Sequence, residues 1–220
     1  MKRREALLSL AAAGAAVAWP RPAAAQQHPR EKLVALVRAR SNVDPKTRPI
    51  QKIEPVELTP EPGNTVDNLP VFDHFVGDLH LRYVFDDERF VQAVRGRDLK
   101  RLKLDRKALP ALVVENYRKL YPDLSVIQPY AGMGAVIKGG QLEPTILLDA
   151  DFWDEQEKRI GAALIVAAPQ RDMVVFTRFE PKQNIELLKH RAVLAYEQAG
   201  ERALSRTILA WRQKRWEVVA

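Results

Sequence analysis

Histidine, aspartate and arginine recur at even spacing along Phe72–Asp86, FDHFVGDLHLRYVFD. His74, Asp78, His80 and Arg82 share one parity. On an extended strand, residues of one parity lie on one face, about 6.6 Å apart at alternate positions. Two imidazoles beside a carboxylate suit two kinds of chemistry. His74, Asp78 and His80 are candidate metal ligands, although a metal takes three or four ligands and the remainder must come from elsewhere. Alternatively Asp78 orients His80 as a general base, the basis of a hydrolase. The competing structural reading is a solvent-facing strand on which Asp and Arg pair with each other.

A second group is the carboxylate cluster Asp149, Asp151, Asp154 and Glu155. Acids at a strand-to-helix junction can bind a hard cation. They also do what a helix N-terminus needs, by capping free N–H groups and complementing the dipole. The spacing is not that of a calcium-binding hand. The third group is Arg171-Asp172, with Gln170, in the turn Pro169–Asp172. Arg171 and Asp172 are candidate ligand-binding residues, because exposed ion pairs contribute at most about 1 kcal/mol and stability is a weak reason to place one there. The structural alternative is a local ion pair between the two.

Other chemistry is excluded by what the 220 residues lack. There is no cysteine, which rules out disulfides, thiolate metal sites, a cysteine nucleophile and a lipid-modified cysteine. No G-x-S-x-G elbow, phosphate-cradling glycine loop, H-E-x-x-H or dinucleotide fingerprint is present. No cofactor is implied. Serine occurs only at Ser9, Ser41, Ser125 and Ser205, none in a nucleophile context. Formal net charge is +7. Four basic residues and one acidic residue lie in residues 1–25, so the remainder carries +4 of that +7. Its Lys and Arg are interleaved with Asp and Glu, without a basic stripe interleaved with aromatics, so nucleic acid is not the expected partner. The residual charge permits peripheral contact with an anionic envelope surface.

The elements that must position these groups are organised around Gly161–Phe179, GAALIVAAPQRDMVVFTRF. Leu164–Ala168 and Met173–Phe176 are unbroken apolar runs of strand length joined by a polar turn, which predicts a buried β-hairpin. A strand without polar alternation must be covered on both faces.

Residues 1–25 have a basic start, an apolar stretch Ala6–Ala18 and a small-residue end Ala23–Ala25. This is the layout of a cleavable export signal, and Arg3-Arg4 fits the twin-arginine route. The apolar stretch is shorter than the ~20 residues that span a bilayer, so no transmembrane helix is expected in the mature chain and the expected location is the periplasm. Residues 26–70 are read as an N-terminal arm. It comprises an amphipathic helix over Arg30–Arg40, an edge strand at Ile50–Leu58 and a proline-rich linker at Thr59–Pro70.

Residues 71–220 form the main domain. Phe72–Asp86 reads as one half-buried strand with Phe75, Leu79, Leu81, Tyr83 and Phe85 inward, and Arg89–Arg95 as a second. Gly96–Leu104 reads as a basic connection. A helix capped by Asp105 runs to Tyr121, with Leu109, Leu112, Val113, Tyr117 and Leu120 inward. Leu124–Gln128 is a short strand and Tyr130–Gly134 a turn. Ala135–Lys138 pairs with Pro144–Leu148 around Gly139-Gly140. A helix capped by Asp151 ends at Gly161. After the central hairpin, Pro181 begins a helix with Ile185, Leu188, Ala192 and Ala195 or Tyr196 inward, closed by Gly200. A last hairpin, Ile208–Trp211 with Trp216–Val219, makes Trp211 and Trp216 cross-strand neighbours. Strand-strand-helix units closed by a C-terminal hairpin predict an α+β fold, a mainly antiparallel sheet with packed helices.

Residues 71–219 resemble the YtpQ-like family, bacterial proteins classed as a domain of unknown function. The resemblance rests on DLHLRYVFDD (78–87), LPALVVENYRKL (109–120), LIVAAPQRDMVVFT (164–177) and WRQKRWEVV (211–219), and it covers about two thirds of the chain. It implies an α+β domain. It brings no catalytic residues, because the family has no established activity. The export signal is a departure from it, since the family's members lack one. The reading that follows is an exported, non-catalytic binding or interaction module whose partner is a protein or small ligand, with the His74/Asp78/His80 hydrolase as the alternative.

Overall fold

The computed structural model describes residues 29–39, 66–87, 91–122, 124–127, 135–138 and 142–219. The predicted export signal, the predicted edge strand at Ile50–Leu58, most of the predicted linker and the predicted turns at Tyr130–Gly134 and Gly139-Gly140 lie outside the described residues.

Among the described residues, two antiparallel sheets and four α-helices make up an α+β fold. In the first sheet β3 (Leu79–Asp86) is central. Strand β1 (Leu33–Ala39) pairs with it along its length, from Leu33 opposite Phe85 to Ala39 opposite Leu79. On its other side β2 (Phe72–Val76) covers the first half of β3 and β4 (Val91–Ala93) the second. The second sheet has the order β10-β9-β7-β8-β6-β5. Its strands are β5 (Ser125–Ile127), β6 (Ala135–Lys138), β7 (Leu164–Gln170), β8 (Met173–Arg178), β9 (Ile208–Arg212) and β10 (Arg215–Val218).

All seven residues of β7 are buried. Alternate side chains serve two cores. Leu164, Val166 and Ala168 join a large core with β1, β3, α2 (Leu109–Leu120) and α3 (Ala150–Ile160). Ile165 and Ala167 pack on the opposite face with Ile185, Leu188 and Ala192 of α4 (Gln183–Gln198). The central hairpin is thus covered on both faces, as its composition requires. The predicted inward residues of α2 and α4 are buried, except Leu120, Ala195 and Tyr196, which are half-buried.

Aromatic packing locks the large core. Trp153 is wholly buried and meets Phe152, Phe176 and Trp216 edge-on at centroid distances of 5.0, 5.2 and 5.1 Å. Trp216 stands directly across from Trp211, with ring centroids 4.8 Å apart. The indole nitrogens of the buried Trp153 and the half-buried Trp216 donate to the carbonyls of Ile146 (2.8 Å) and Leu147 (2.7 Å), so neither ring leaves its N–H unsatisfied.

Several expectations are corrected. Residues 30–40 do not form an amphipathic helix: a 3-10 turn, Arg30–Lys32, leads into β1. Five consecutive apolar residues, Leu33–Val37, are compatible with helical spacing, but all five are buried, which a helix one side of which faces water cannot achieve. The free edge of β1 is closed by buried side chains. Asn116 donates to Leu33 O at 2.8 Å and Thr145 to Ala35 O at 2.7 Å.

Phe72–Asp86 is a hairpin, not one strand. Gly77, at φ +59°, reverses the chain, and a Cβ there would meet Val218 and Thr207 side chains at 3.1 and 3.2 Å. Gly96–Leu104 contains a helix, α1 (Gly96–Leu102), whose first turn is held by Asp98 accepting from Arg95 N at 2.9 Å. Residues 144–148 belong to a buried 3-10 helix, Glu143–Leu148, because Pro144 has no N–H to give a ladder; β6 pairs with β5 and β8 instead. Asp149, not Asp151, caps α3, accepting from Phe152 N at 3.0 Å.

Replacing Trp153 with alanine removes the common partner of three rings. The expected cost is about 3–5 kcal/mol of folding stability, read as a fall in the urea midpoint with an unchanged slope.

Candidate functional site

The reversal at Gly77 rearranges the polar strand face. His74 and His80 face each other across β2 and β3, and Arg38 of β1 stands opposite His80 on the other side. Directly opposed residues share a face, with Cα atoms about 4.5–5.5 Å apart. Arg38, His80 and His74 therefore form a row across three strands, and Arg82 lies two residues along on the same side. His74 and Arg82 are exposed; Arg38 and His80 are half-buried. His74 Nε2 donates to Gly77 O at 3.1 Å.

Asp78 is not on this strand face. It sits in the turn, where its carboxylate accepts from Ser205 Oγ at 2.7 and 2.9 Å and from Thr207 Oγ1 at 2.8 Å. Ser205 Oγ in turn accepts from Thr207 N at 3.0 Å. Asp78 is a latch that fastens the β2–β3 turn to the approach to β9. Among the described residues, no group of three or more His, Asp or Glu stands close enough to hold a metal ion. The predicted His74/Asp78/His80 ligand set is therefore not assembled.

The segment that Asp78 grips also binds the tip of the central hairpin. Leu204 N donates to Pro169 O at 2.8 Å, Ser205 N to Ala168 O at 3.1 Å, and Arg171 N to Arg202 O at 2.9 Å. Gln170 is tied to α4, its Nε2 donating to Ala195 O at 2.9 Å. Asp172 pairs with Arg202 at 2.5 Å rather than with Arg171. The expected local ion pair does not form, and the exposed Arg171 lies instead within electrostatic reach of Arg38.

Two sites that look separate in the sequence thus meet at one end of the molecule. The result is a cluster of Arg38, Arg82 and Arg171 with His80 and His74. Among the described residues, none of these three arginines forms an ion pair with a carboxylate; Arg38 Nη1 reaches only the carbonyl of its neighbour Val37, at 3.2 Å. The electrostatics follow. Burial, then Arg171 and Arg82, pull the Arg38 pKa below its usual value. Burial, then Arg38 and Arg82, lower that of His80; Asp78 opposes this and His74 adds to it.

The carboxylate cluster is otherwise engaged. Buried Asp149 takes Arg118 Nε at 2.6 Å besides capping α3, and Asp151 takes the same guanidinium at 3.2 Å. Asp154 accepts from Lys214 at 2.9 Å and Trp211 Nε1 at 3.1 Å, and Lys214 holds its carboxyl below the usual range. Glu155 is exposed. These acids are cappers and anchors. Arg38 was missing from the sequence-based candidates because its segment reads as a helix; as a strand, its parity places it beside His80.

Asp78→Ala leaves two hydroxyls without their acceptor. The expected loss is about 2–3 kcal/mol, measured by urea unfolding, with Asp78→Asn recovering part of it. The His80 shift has a definite sign. Its folded pKa lies below the ordinary 6.5, so the unfolded chain takes up the proton first. His80 then contributes nothing to the pH dependence at neutral pH, and stability falls as pH drops below about 6.5 toward the folded value. Unfolding midpoints between pH 8 and pH 5 should show this fall, and His80→Gln should flatten it.

No helix among the described residues is long and apolar enough to cross a membrane. Compared with protein-family models, curated proteins and solved structures, the chain matches none, so the functional reading rests on the chemistry of this basic cluster.

Proposed function

We propose that this chain is an exported, non-catalytic binding module whose contact surface is the basic end formed by Arg38, His80, Arg82 and Arg171. One observation carries the reading: cationic side chains from β1, β3 and the β7–β8 turn gather without an ion-pairing carboxylate among the described residues. Like charges on neighbouring strands repel, so the arrangement favours a partner that brings negative charge. Asp78, which a histidine-based hydrolase would need as orienter, is bonded to Ser205 and Thr207. Export rests on the layout of residues 1–25 and implies a mature chain starting near Gln26. The partner is a protein or small ligand reached in the periplasm.

A thermal-shift screen of the mature chain, purified from the periplasmic fraction, tests this. A ligand at one hundred times its Kd stabilises by about 2.7 kcal/mol. For a chain of this size that raises Tm by roughly 5–11 °C. The rise is expected in the wild type and should be largely lost in Arg82→Ala. Stoichiometric zinc by elemental analysis, together with a hydrolytic activity abolished by His80→Ala, would overturn the reading in favour of an enzyme.

A further inference from the structure

We propose that Arg38, His80 and Arg82, with Arg171 reaching in from the β7–β8 turn, bind a phosphate group. This deepens the reading of the basic end as a contact surface and rests on it.

The geometry is that of converging donors on a rigid floor. Arg38 and His80 are opposed across β1 and β3, and Arg82 follows on the same face of β3. Arg38 and Arg82 are diagonal neighbours across these two strands, about 7–8 Å apart, within the span of two long guanidinium side chains folding over one tetrahedral anion. Strand β1 is held along its whole length by β3, and its other edge by Asn116 and Thr145, so this floor does not depend on the ligand for its shape. Arg171 arrives from a different sheet. Its backbone is fixed by Arg202 O while its guanidinium stays exposed.

The charge balance selects the ligand. Three guanidiniums remain protonated at any physiological pH. Two acids beside the cluster are occupied: Asp172, next to Arg171, by Arg202, and Asp78, within electrostatic reach of His80, by two hydroxyl donors. Asp78 still offsets one charge, which leaves an excess near two. A carboxylate ligand offers one charge and two oxygens. A phosphate monoester offers nearly two charges and three oxygens, and planar guanidinium forks meet such oxygens in pairs. Burial and the neighbouring arginines favour neutral His80, so the imidazole acts as a hydrogen-bond donor and the arginines supply the attraction.

Phosphate chemistry reaches an exported protein from two sources, soluble phosphate compounds and phospholipid headgroups. Calorimetric titration of the mature chain with inorganic phosphate at constant ionic strength is the first arm. Sedimentation with vesicles of phosphatidylglycerol, against phosphatidylcholine alone, is the second. In whichever arm binds, Arg38→Gln and Arg82→Gln should each weaken binding about tenfold, Arg82→Lys should lose part of it, and Arg215→Gln, an exposed arginine on β10, should change nothing. Each variant is first checked for an unaltered circular dichroism spectrum and a cooperative melt, and Arg82, being exposed, guards against loss of fold. Phosphate binding without vesicle binding identifies a soluble ligand; vesicle binding that phosphate does not displace identifies a headgroup. The proposal falls if neither probe binds, or if Arg215→Gln weakens binding as much as Arg82→Gln. In that event a different ligand whose thermal shift vanishes in Arg82→Ala would leave the contact-surface reading standing, whereas no ligand dependent on Arg82 would remove both.

Discussion

A seven-residue strand with no water-facing side chain dictates this architecture. Strand β7 presents apolar groups to both sides, and each large one buried contributes about 1.5–3 kcal/mol. That gain requires a cover on each face. Helix α4 supplies one through Ile185, Leu188 and Ala192, and the first sheet with α2 and α3 supplies the other. Because the second cover is itself a sheet, β1 and β3 are drawn against the same core that holds Trp153. The polar face of β3 is then positioned by the apolar face behind it, where Leu79, Leu81, Tyr83 and Phe85 are all buried.

The same constraint explains why the basic end is well defined. Strand β7 continues through Pro169 and Gln170 to a turn whose backbone must find partners, and residues 202–205 supply them. Those residues lead directly to Thr207 and β9, which pairs with β7 on its other side. Asp78 bonds to Ser205 and Thr207 at that junction. The first sheet's turn and the second sheet's turn are therefore joined through one short segment. Arg38, His80 and Arg171, far apart in the chain, become neighbours as a result of where apolar surface is hidden.

Much of this was legible in the amino-acid order. The buried hairpin, its two covered faces, the inward residues of α2 and α4, and the Trp211–Trp216 pair all follow from periodicity and turn chemistry. The alternation over 72–86 was also legible, but the hairpin within it was not. The bulge between His74 and Val76 and the reversal at Gly77 preserve the apparent period of two, so parity alone cannot tell one long strand from two paired ones. That hid the placement of Asp78. A five-residue apolar run satisfies helix and strand templates alike, and only its pairing with β3 settles Leu33–Val37 as a strand. That hid Arg38. The choice between Arg171 and Arg202 as partner of Asp172 depends on a chain separation of 30 residues, beyond the reach of any local pattern.

What distinguishes the basic end is how the fold distributes its acids. Three arginines elsewhere meet carboxylates: Arg106 meets Asp73, Arg118 meets Asp149, and Arg202 meets Asp172. Such pairs relieve the cost of drawing a guanidinium partly out of water. Arg38 is half-buried, opposed to a histidine and close to two further arginines, and among the described residues its guanidinium bonds only the Val37 carbonyl. Stability alone would place an acid there, and two acids lie at that end of the molecule. One fastens a turn by accepting hydroxyls, and the other neutralises a different arginine. The repulsion left between Arg38, Arg82 and Arg171 is small on a hydrated surface, so the fold tolerates it. A surface that spends its acids on anchoring and, among the described residues, leaves its most recessed arginine without a carboxylate is what the proposed binding of a negatively charged ligand requires.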